Sequence, residues 1–260
     1  MARLAIALSG GVDSTLAAWL LKQDGHELLA LTLNLGIHAA ASLPAAARAA
    51  AELGISHQIV DAQDPFQQQI IDTTINSYCQ GKTPNPCARC NAFIKIPLLL
   101  EQAKALGCEG LATGHYARLQ EEGGRIYLQE ALDTSKSQTY FLARLEPELL
   151  PFLHFPLGSK SKQQVWDMAA ALGLSAASSK ESQDCCFMPA SGFASLVEKQ
   201  IPPSGSIVNS SGRLLGRHQG LFRYTIGQRR GLGIPASRPL YVLKLNAQEN
   251  SVVVGFEEEL

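Results

Sequence analysis

The chain opens with apolar runs that switch between two periods. LAIALS (4–9) is a short continuous apolar stretch that ends on glycines, which predicts a strand running into a turn. VDSTLAAWLLKQDG follows, with Leu16, Trp19 and Leu20 spaced for one face of a helix and Gly25 placed to end it. ELLALTL (27–33) predicts a second strand, LPAAARAAAELG (43–54) a helix with a glycine stop, and SHQIVD (56–61) a third strand. Strand–helix alternation of this kind implies a parallel sheet covered by helices. The pattern then gives an amphipathic helix over 64–79, a loop carrying TPNPCARCN, a helix over 93–106 and a strand near GLATGH. RLQEEGGRIYLQE changes to period two and predicts a hairpin turning at Gly123 and Gly124, and SKQQVWDMAAALG (161–173) is a capped helix. From IPPSGS (201–206) helical periodicity stops, and GSIV, RLLG, YVLKL and VVVG read as short strands. The fold class is therefore α/β, a Rossmann-like parallel-sheet domain over 1–200 followed by a small β-rich domain over 201–260.

Composition narrows this picture. A chain of 260 residues that is 46% hydrophobic can bury a core. Its apolar stretches are interrupted well before the ~20 residues needed to span a bilayer, and MARLAIALSGG runs into a glycine loop without a cleavage site. A cytoplasmic location is expected. Six unevenly spaced cysteines then suggest reduced, metal-bound or catalytic thiols over a disulfide framework. The net charge of -1 hides a division: residues 201–245 carry 7 Lys+Arg and no acid, interleaved with Phe222, Tyr224 and Tyr241. Such a block can neutralise phosphates, although on charge alone it reads as an ordinary solvated basic patch.

The loop between the first strand and helix, SGGVDST, comprises Ser9, Gly10, Gly11, Val12, Asp13, Ser14 and Thr15. It lacks the GK[ST] ending of a Walker loop, so no lysine follows to hold β and γ phosphates. Glycines allow backbone N–H groups to approach an anion, the helix N-terminus favours negative charge, and Ser9, Ser14 and Thr15 offer hydroxyls. Asp13 would repel bare phosphate but suits a Mg²⁺ ligand. This stretch resembles the pyrophosphate (PP) loop of the ATP pyrophosphatases, which cleave ATP between the α and β phosphates and leave AMP on a substrate oxygen.

Further stretches, in order, resemble the tRNA-specific 2-thiouridylases: TPNPCARCN with Ile94 and Lys95, ATGHYAR (112–118), KSQTYFL (136–142), FPLG (155–158), SQDCCF (182–187), the GxHxGL run at 216–221, and YTIGQRRGLGI (224–234). The resemblance implies that ATP, with Mg²⁺, adenylates the C2 oxygen of a wobble uridine and that sulfur then displaces AMP. It implies nucleotide contacts at Leu33 and Gly114 besides the loop. Contacts with tRNA are implied at Asn85, Pro86, Cys87, His115, Lys136, Ser137, Gln138, Arg229 and Arg230. A serine at position 137 departs from the acidic residue usual there. Cys90 is implied as the attacking thiol and Cys186 as the bearer of a persulfide; Asn91 reads as a helix cap, which would put Cys90 at a helix N-terminus where thiolates are favoured. Cys79 and Cys108 read as small buried hydrophobes, and Cys185 is unassigned. The family's C-terminal β-barrel has no counterpart in the sequence, so a short form is expected.

Many relatives carry aspartate at the Cys87 position, so Cys87, Cys90 and Cys186 form a three-thiol set. Such a set could ligate a [4Fe–4S] cluster with one open iron, towards which the reading leans slightly, or leave Cys87 outside a persulfide route, or hold a structural zinc with an unidentified fourth ligand. The implied partners are tRNA and a sulfur donor, either a persulfide carrier protein or hydrosulfide. Two other functions are compatible with parts of the sequence: sulfur transfer to another RNA position or a small molecule, and a non-enzymatic sulfur carrier or tRNA-binding protein. Intact SGGVDST speaks against the last.

Overall fold

The computed structural model describes residues 1–178, 185–188, 194–197 and 204–260. The chain divides into two compact units, residues 1–69 with 87–186 and residues 70–86 with 187–260. Strands of the first unit are β1 (Arg3–Ala7), β2 (Glu27–Asn34), β3 (Ser56–Asp61), β4 (Gly110–Thr113), β5 (Ala117–Glu122), β6 (Arg125–Glu130) and β7 (Leu153–His154). Five of them form a sheet in the order β3-β2-β1-β4-β7, every neighbouring pair parallel. The hairpin β5–β6 turns at Gly123 and Gly124, both at positive φ, where glycine has no Cβ penalty.

The helices, in chain order, are α1 (Val12–Gln23), α2 (Ser42–Leu53), α3 (Gln63–Phe66), α4 (Thr73–Cys79), α5 (Pro86–Cys90), α6 (Ile96–Ala105), α7 (Thr139–Leu142), α8 (Lys162–Ala171) and α9 (Ala194–Val197). Alternate residues of β1 face opposite sides of the sheet. Leu4 and Ile6 pack with Leu16 and Ala17 of α1 and Ala46, Ala49 and Ala50 of α2. Ala5 and Ala7 pack with Ile96, Leu99, Leu100 and Ala103 of α6. Because both faces are covered, the central strands are almost continuously apolar, whereas the edge strand β3 is largely exposed. Gly54, at φ 61°, ends α2 in the left-handed region, and the reciprocal Ser161–Gln164 capping box starts α8.

Two predicted helices differ in form. The helix over 64–79 is α3, a π-helical segment (Gln67–Asp72) and α4. The helix over 93–106 begins earlier, at Pro86, and passes through a second π-helical segment (Asn91–Lys95) into α6. Pro97 explains the second: a proline has no N–H to continue an α-helical ladder, and its ring clashes with the carbonyl four residues back, so the turn before it widens. As a consequence, Cys87 and Cys90 lie within a helix, not in a loop before one.

The second unit contains β8 (Gly205–Asn209), β9 (Leu214–His218), β10 (Tyr241–Asn246) and β11 (Ser251–Gly255) in the order β10-β11-β8-β9. Its outer pairs are antiparallel and the central pair β11–β8 is parallel. Ile207, Leu221, Tyr224, Val242, Val252 and Val254 form its core. Among the described residues, no helix is long and apolar enough to cross a membrane.

Candidate active site

The SGGVDST loop leaves the C-terminal end of β1 and enters α1, which starts without a side-chain cap. The first-turn N–H groups of an uncapped helix are open to an anion. Gly10 sits at φ 77°, where a Cβ would lie 2.4 Å from the Ala45 carbonyl carbon, so the loop can press on α2 only with glycine there. Beside Gly11 a Cβ would meet only Ser9 Oγ, at 3.6 Å, leaving room on that side. The hydroxyls divide differently from the sequence reading. Thr15 is fully buried and donates to the Gly11 carbonyl at 2.9 Å; Ser14 is buried, donates to the same carbonyl at 3.2 Å and receives the Ser9 N–H at 3.1 Å. These two shape the loop from inside, while Ser9 remains exposed.

Asp13 projects from the first turn of α1 and is met by two partners that the sequence reading missed. Lys162 Nζ donates to both carboxylate oxygens, at 2.7 and 2.8 Å, and the Tyr116 hydroxyl donates to Oδ1 at 2.7 Å. Lys162 is only 8% exposed, and its ammonium lies 5.5 Å from the Tyr116 ring centre and 5.4 Å from that of Trp166. A buried cation of this kind requires its counter-ion. Gly114 lies against the loop backbone: a Cβ there would sit 2.7 Å from Ser14 N and 2.8 Å from Asp13 C. Leu33 is half-buried near the C-terminal end of β2, the strand beside β1. The C-terminal edge of a parallel sheet is where such folds bind ligands.

Cys87, Cys90, Cys108, Cys185 and Cys186 belong to the same unit as the loop, and Cys79 to the second. Pro86 is the first residue of α5, so Cys87 occupies its first turn and Cys90 its end. Asn91 is not a cap; it is buried in the π-helical segment and donates to the Phe141 carbonyl at 3.2 Å. The favoured thiolate is accordingly Cys87. A hydrogen bond with Cys185, Sγ to Sγ 3.5 Å, holds Cys87 down to about 7 against the opposing effect of burial, with the Lys95 ammonium assisting. Cys90 is pushed up to about 12 by burial, which the nearby Lys95 charge only partly offsets and the Cys186 and Cys87 charges reinforce. Cys186 is exposed as a residue, yet loss of hydration around its sulfur raises its pKa, helped by Cys87. Cys108 is buried, as expected, and Cys79 is half-buried.

Among the described residues, no group of three or more His, Cys, Asp or Glu side chains could hold a metal ion. The candidate cluster ligands Cys87, Cys90 and Cys186 thus do not form a metal-holding group, and the sulfur packed against Cys87 belongs to Cys185. Of SQDCCF, residues 182–184 lie outside the described residues.

The remaining predicted positions fall into two groups. His115 is 8% exposed, bonded through Nδ1 to Thr113 Oγ1 at 2.9 Å and packed edge-on against Phe155; burial and then the Lys95 charge keep it neutral. Its buried ring offers no surface for the implied tRNA contact in this structure. Gln138 exchanges two hydrogen bonds with the Tyr116 backbone, at 3.0 and 2.8 Å, and so braces the segment that carries Tyr116, while Ser137 bonds Thr139 at 3.2 Å. Lys136 is exposed, and Asn85 and Pro86 are half-buried ahead of Cys87. In the second unit, Arg229 and Arg230 are exposed at the rim of a concavity of 610 Å³ lined by residues 229–240.

Comparison with known proteins agrees with this geometry. The tRNA methyl transferase HUP domain family matches residues 2–190, and the tRNA methyl transferase PRC-barrel domain family matches residues 194–256. The tRNA-specific 2-thiouridylase MnmA of Pelobacter propionicus is 47% identical over 98% of this chain and 74% of its own length. The enzyme of the same name from Trichlorobacter lovleyi is 46% identical over 100% of this chain and 76% of its own, and that of Methylorubrum populi 45% over 97% and 70%. At this level of identity over nearly its full length, the chain belongs to the tRNA-specific 2-thiouridylase family.

Proposed function

We propose that the chain is an ATP-dependent tRNA 2-thiouridylase, a transferase that adenylates the C2 oxygen of the wobble uridine and replaces it with sulfur. The observation that carries this reading is one compact unit holding both an uncapped glycine loop with Lys162 beside it and a group of thiols around Cys87. Although the matched families are described as methyl transferases, methyl transfer needs neither activation of an acceptor oxygen nor a sulfur relay.

In the activation step the uridine C2 oxygen attacks the α phosphorus of ATP and pyrophosphate leaves. The N–H groups at the start of α1 bind the departing group, and Lys162 supplies the positive charge that a Walker lysine would otherwise provide. Asp13 holds Lys162 beside the loop, and Tyr116 fixes the carboxylate in turn. One carboxylate beside a phosphate site is a usual donor set for Mg²⁺, and the Asp13 side chain is 32% exposed, so it can hold the ion that accompanies ATP and neutralises the pyrophosphate.

In the sulfur step the terminal sulfur of a Cys186 persulfide, supplied by a persulfide carrier protein, attacks C2 and AMP leaves with the original oxygen. Cys90 then attacks the Cys186 sulfur. The bond to the transferred sulfur breaks, leaving that sulfur on C2, and Cys90 and Cys186 become joined as a disulfide. Because burial keeps Cys90 protonated, its proton needs an acceptor, and the Cys87 thiolate one helical turn earlier provides one. No step passes through an iron–sulfur cluster, because Cys87, Cys90 and Cys186 do not form a metal-holding group among the described residues.

The test is anaerobic incubation of iron-free protein with ATP, tRNA and a persulfide donor, followed by nucleoside mass spectrometry. One AMP per 2-thiouridine is expected. Thiolation that occurs without AMP, or only after iron and sulfide are restored, would refute this mechanism.

A further inference from the structure

The thiolation cycle proposed above ends with Cys90 and Cys186 oxidised, and two electrons must return before another sulfur can be accepted. Two further thiols stand beside them. Cys87 precedes Cys90 in the CxxC of α5, Cys185 precedes Cys186 in sequence, and the sulfurs of Cys87 and Cys185 touch at 3.5 Å. CxxC is the spacing at which a thiol and a disulfide sulfur exchange readily. Neither Cys87 nor Cys185 carries the transferred sulfur, and Cys87 serves its release only by taking the Cys90 proton.

We propose that Cys87 and Cys185 form a resolving dithiol that reduces the Cys90–Cys186 disulfide within the same chain. This rests on the thiolation reading. In the first exchange the Cys87 sulfur attacks the Cys90 sulfur: a Cys87–Cys90 bond forms, the Cys90–Cys186 bond breaks, and the electron pair leaves on Cys186, which takes a proton. In the second, Cys185 attacks Cys87: the Cys87–Cys185 bond forms, the Cys87–Cys90 bond breaks, and Cys90 takes a proton. Two protons leave Cys87 and Cys185 and two arrive on Cys90 and Cys186, and the oxidation has moved to the second pair. A soluble dithiol reductant then resets the Cys87–Cys185 disulfide. The close contact makes Cys185 the natural second attacker, because its sulfur already packs against the sulfur it must reach.

Disulfide mapping tests this in two arms. Fully reduced protein is treated anaerobically with one equivalent of diamide, alkylated, digested and analysed by mass spectrometry, with no tRNA present. The expected product is a Cys87–Cys185 cross-linked peptide with Cys90 and Cys186 alkylated; a bond resting at Cys90–Cys186 or Cys87–Cys90 overturns the proposal. In the second arm, persulfidated protein performs a single turnover with ATP and tRNA in the absence of reductant. One 2-thiouridine per chain is expected together with the Cys87–Cys185 bond, and Cys185→Ser should trap the oxidation on Cys90. If 2-thiouridine forms while the bond remains at Cys90–Cys186, thiolation stands and the resolving pair is overturned. If the diamide arm gives Cys87–Cys185 but no 2-thiouridine forms, the thiolation reading fails and takes the assigned role of the pair with it.

Discussion

At the scale of single residues, the site depends on two charge states set by neighbours distant in sequence. Cys87 is held down to about 7 from an ordinary 9.0, chiefly by the Cys185 hydrogen bond. A depressed acid contributes stability above its unfolded value, and that contribution is lost as pH falls through about 7. Alkylation followed by peptide mass spectrometry should show Cys87 labelling rising through that pH, while Cys90, pushed up to about 12, stays slow between neutral and moderately alkaline pH. Cys185→Ala should move the Cys87 profile upward; an unchanged profile would show that Cys185 is not the cause. Asp13 makes the second case. The loop pattern alone suggests that Asp13→Ala would spare the fold, but Lys162 changes that expectation. Removing one partner of a buried ion pair costs about 3–5 kcal/mol, so the alanine variant should melt early. Asp13→Asn keeps the shape and one acceptor oxygen but turns the other into an N–H donor facing Lys162 and removes the counter-charge; it should melt earlier than the parent but later than the alanine variant, and its folded protein should lose on the order of 10²-fold in tRNA-dependent pyrophosphate release. Calorimetry and a pyrophosphate assay separate the two effects, and a wild-type rate in folded Asp13→Asn protein would remove Asp13 from the activation step.

At the scale of elements, what the sequence reveals follows from how local each cause is. β1, α1, β2, α2 and β3 are legible because period and glycine stops act within a few residues, and the β5–β6 hairpin because its two glycines supply positive φ. The start of α5 is not legible from apolar period, since PCARC has almost none; the proline at its first position is the available signal. The Asp13–Lys162, Asp13–Tyr116 and Cys87–Cys185 pairs join residues 149, 103 and 98 positions apart, and no local pattern reveals such pairings. Tyr116 lies inside the ATGHYAR motif, but its value depends on Gly114 letting β4 end against the loop. That dependence can be tested. Gly114→Ala forces a Cβ into the Ser14 and Asp13 backbone, which is not a flexible side-chain end and must shift. Overpacking of this kind costs about 1–3 kcal/mol. ATP affinity should fall at least tenfold, on the order of 1.4 kcal/mol, as read by equilibrium binding; unaltered affinity would separate Gly114 from the nucleotide site.

At the scale of the whole molecule, charge is divided along the chain. A net charge of -1 gives little general attraction to a polyanion, so RNA binding must draw on local surplus. Residues 201–245 carry 7 Lys+Arg and no acid, but not all are equally available. Arg238 is paired with Glu258 at 3.0 Å and stacked on Phe256, whereas Arg229 and Arg230 stand exposed on a segment fixed to β10 by the Gly227–Val242 and Val242–Gln228 backbone hydrogen bonds, at 2.8 and 3.0 Å. Two arginines on a braced segment hold their charges in place, which suits phosphate binding without base reading. Reversing both, Arg229→Glu with Arg230→Glu, should weaken binding of every tRNA by a similar factor and lower the slope of log affinity against log salt by about 1 for each phosphate that is no longer neutralised. Filter binding across a salt series measures both quantities. The same affinity and slope in the double variant would place the electrostatic anchor elsewhere, and a weakening confined to particular tRNAs would mean that these arginines read sequence or shape instead of backbone charge.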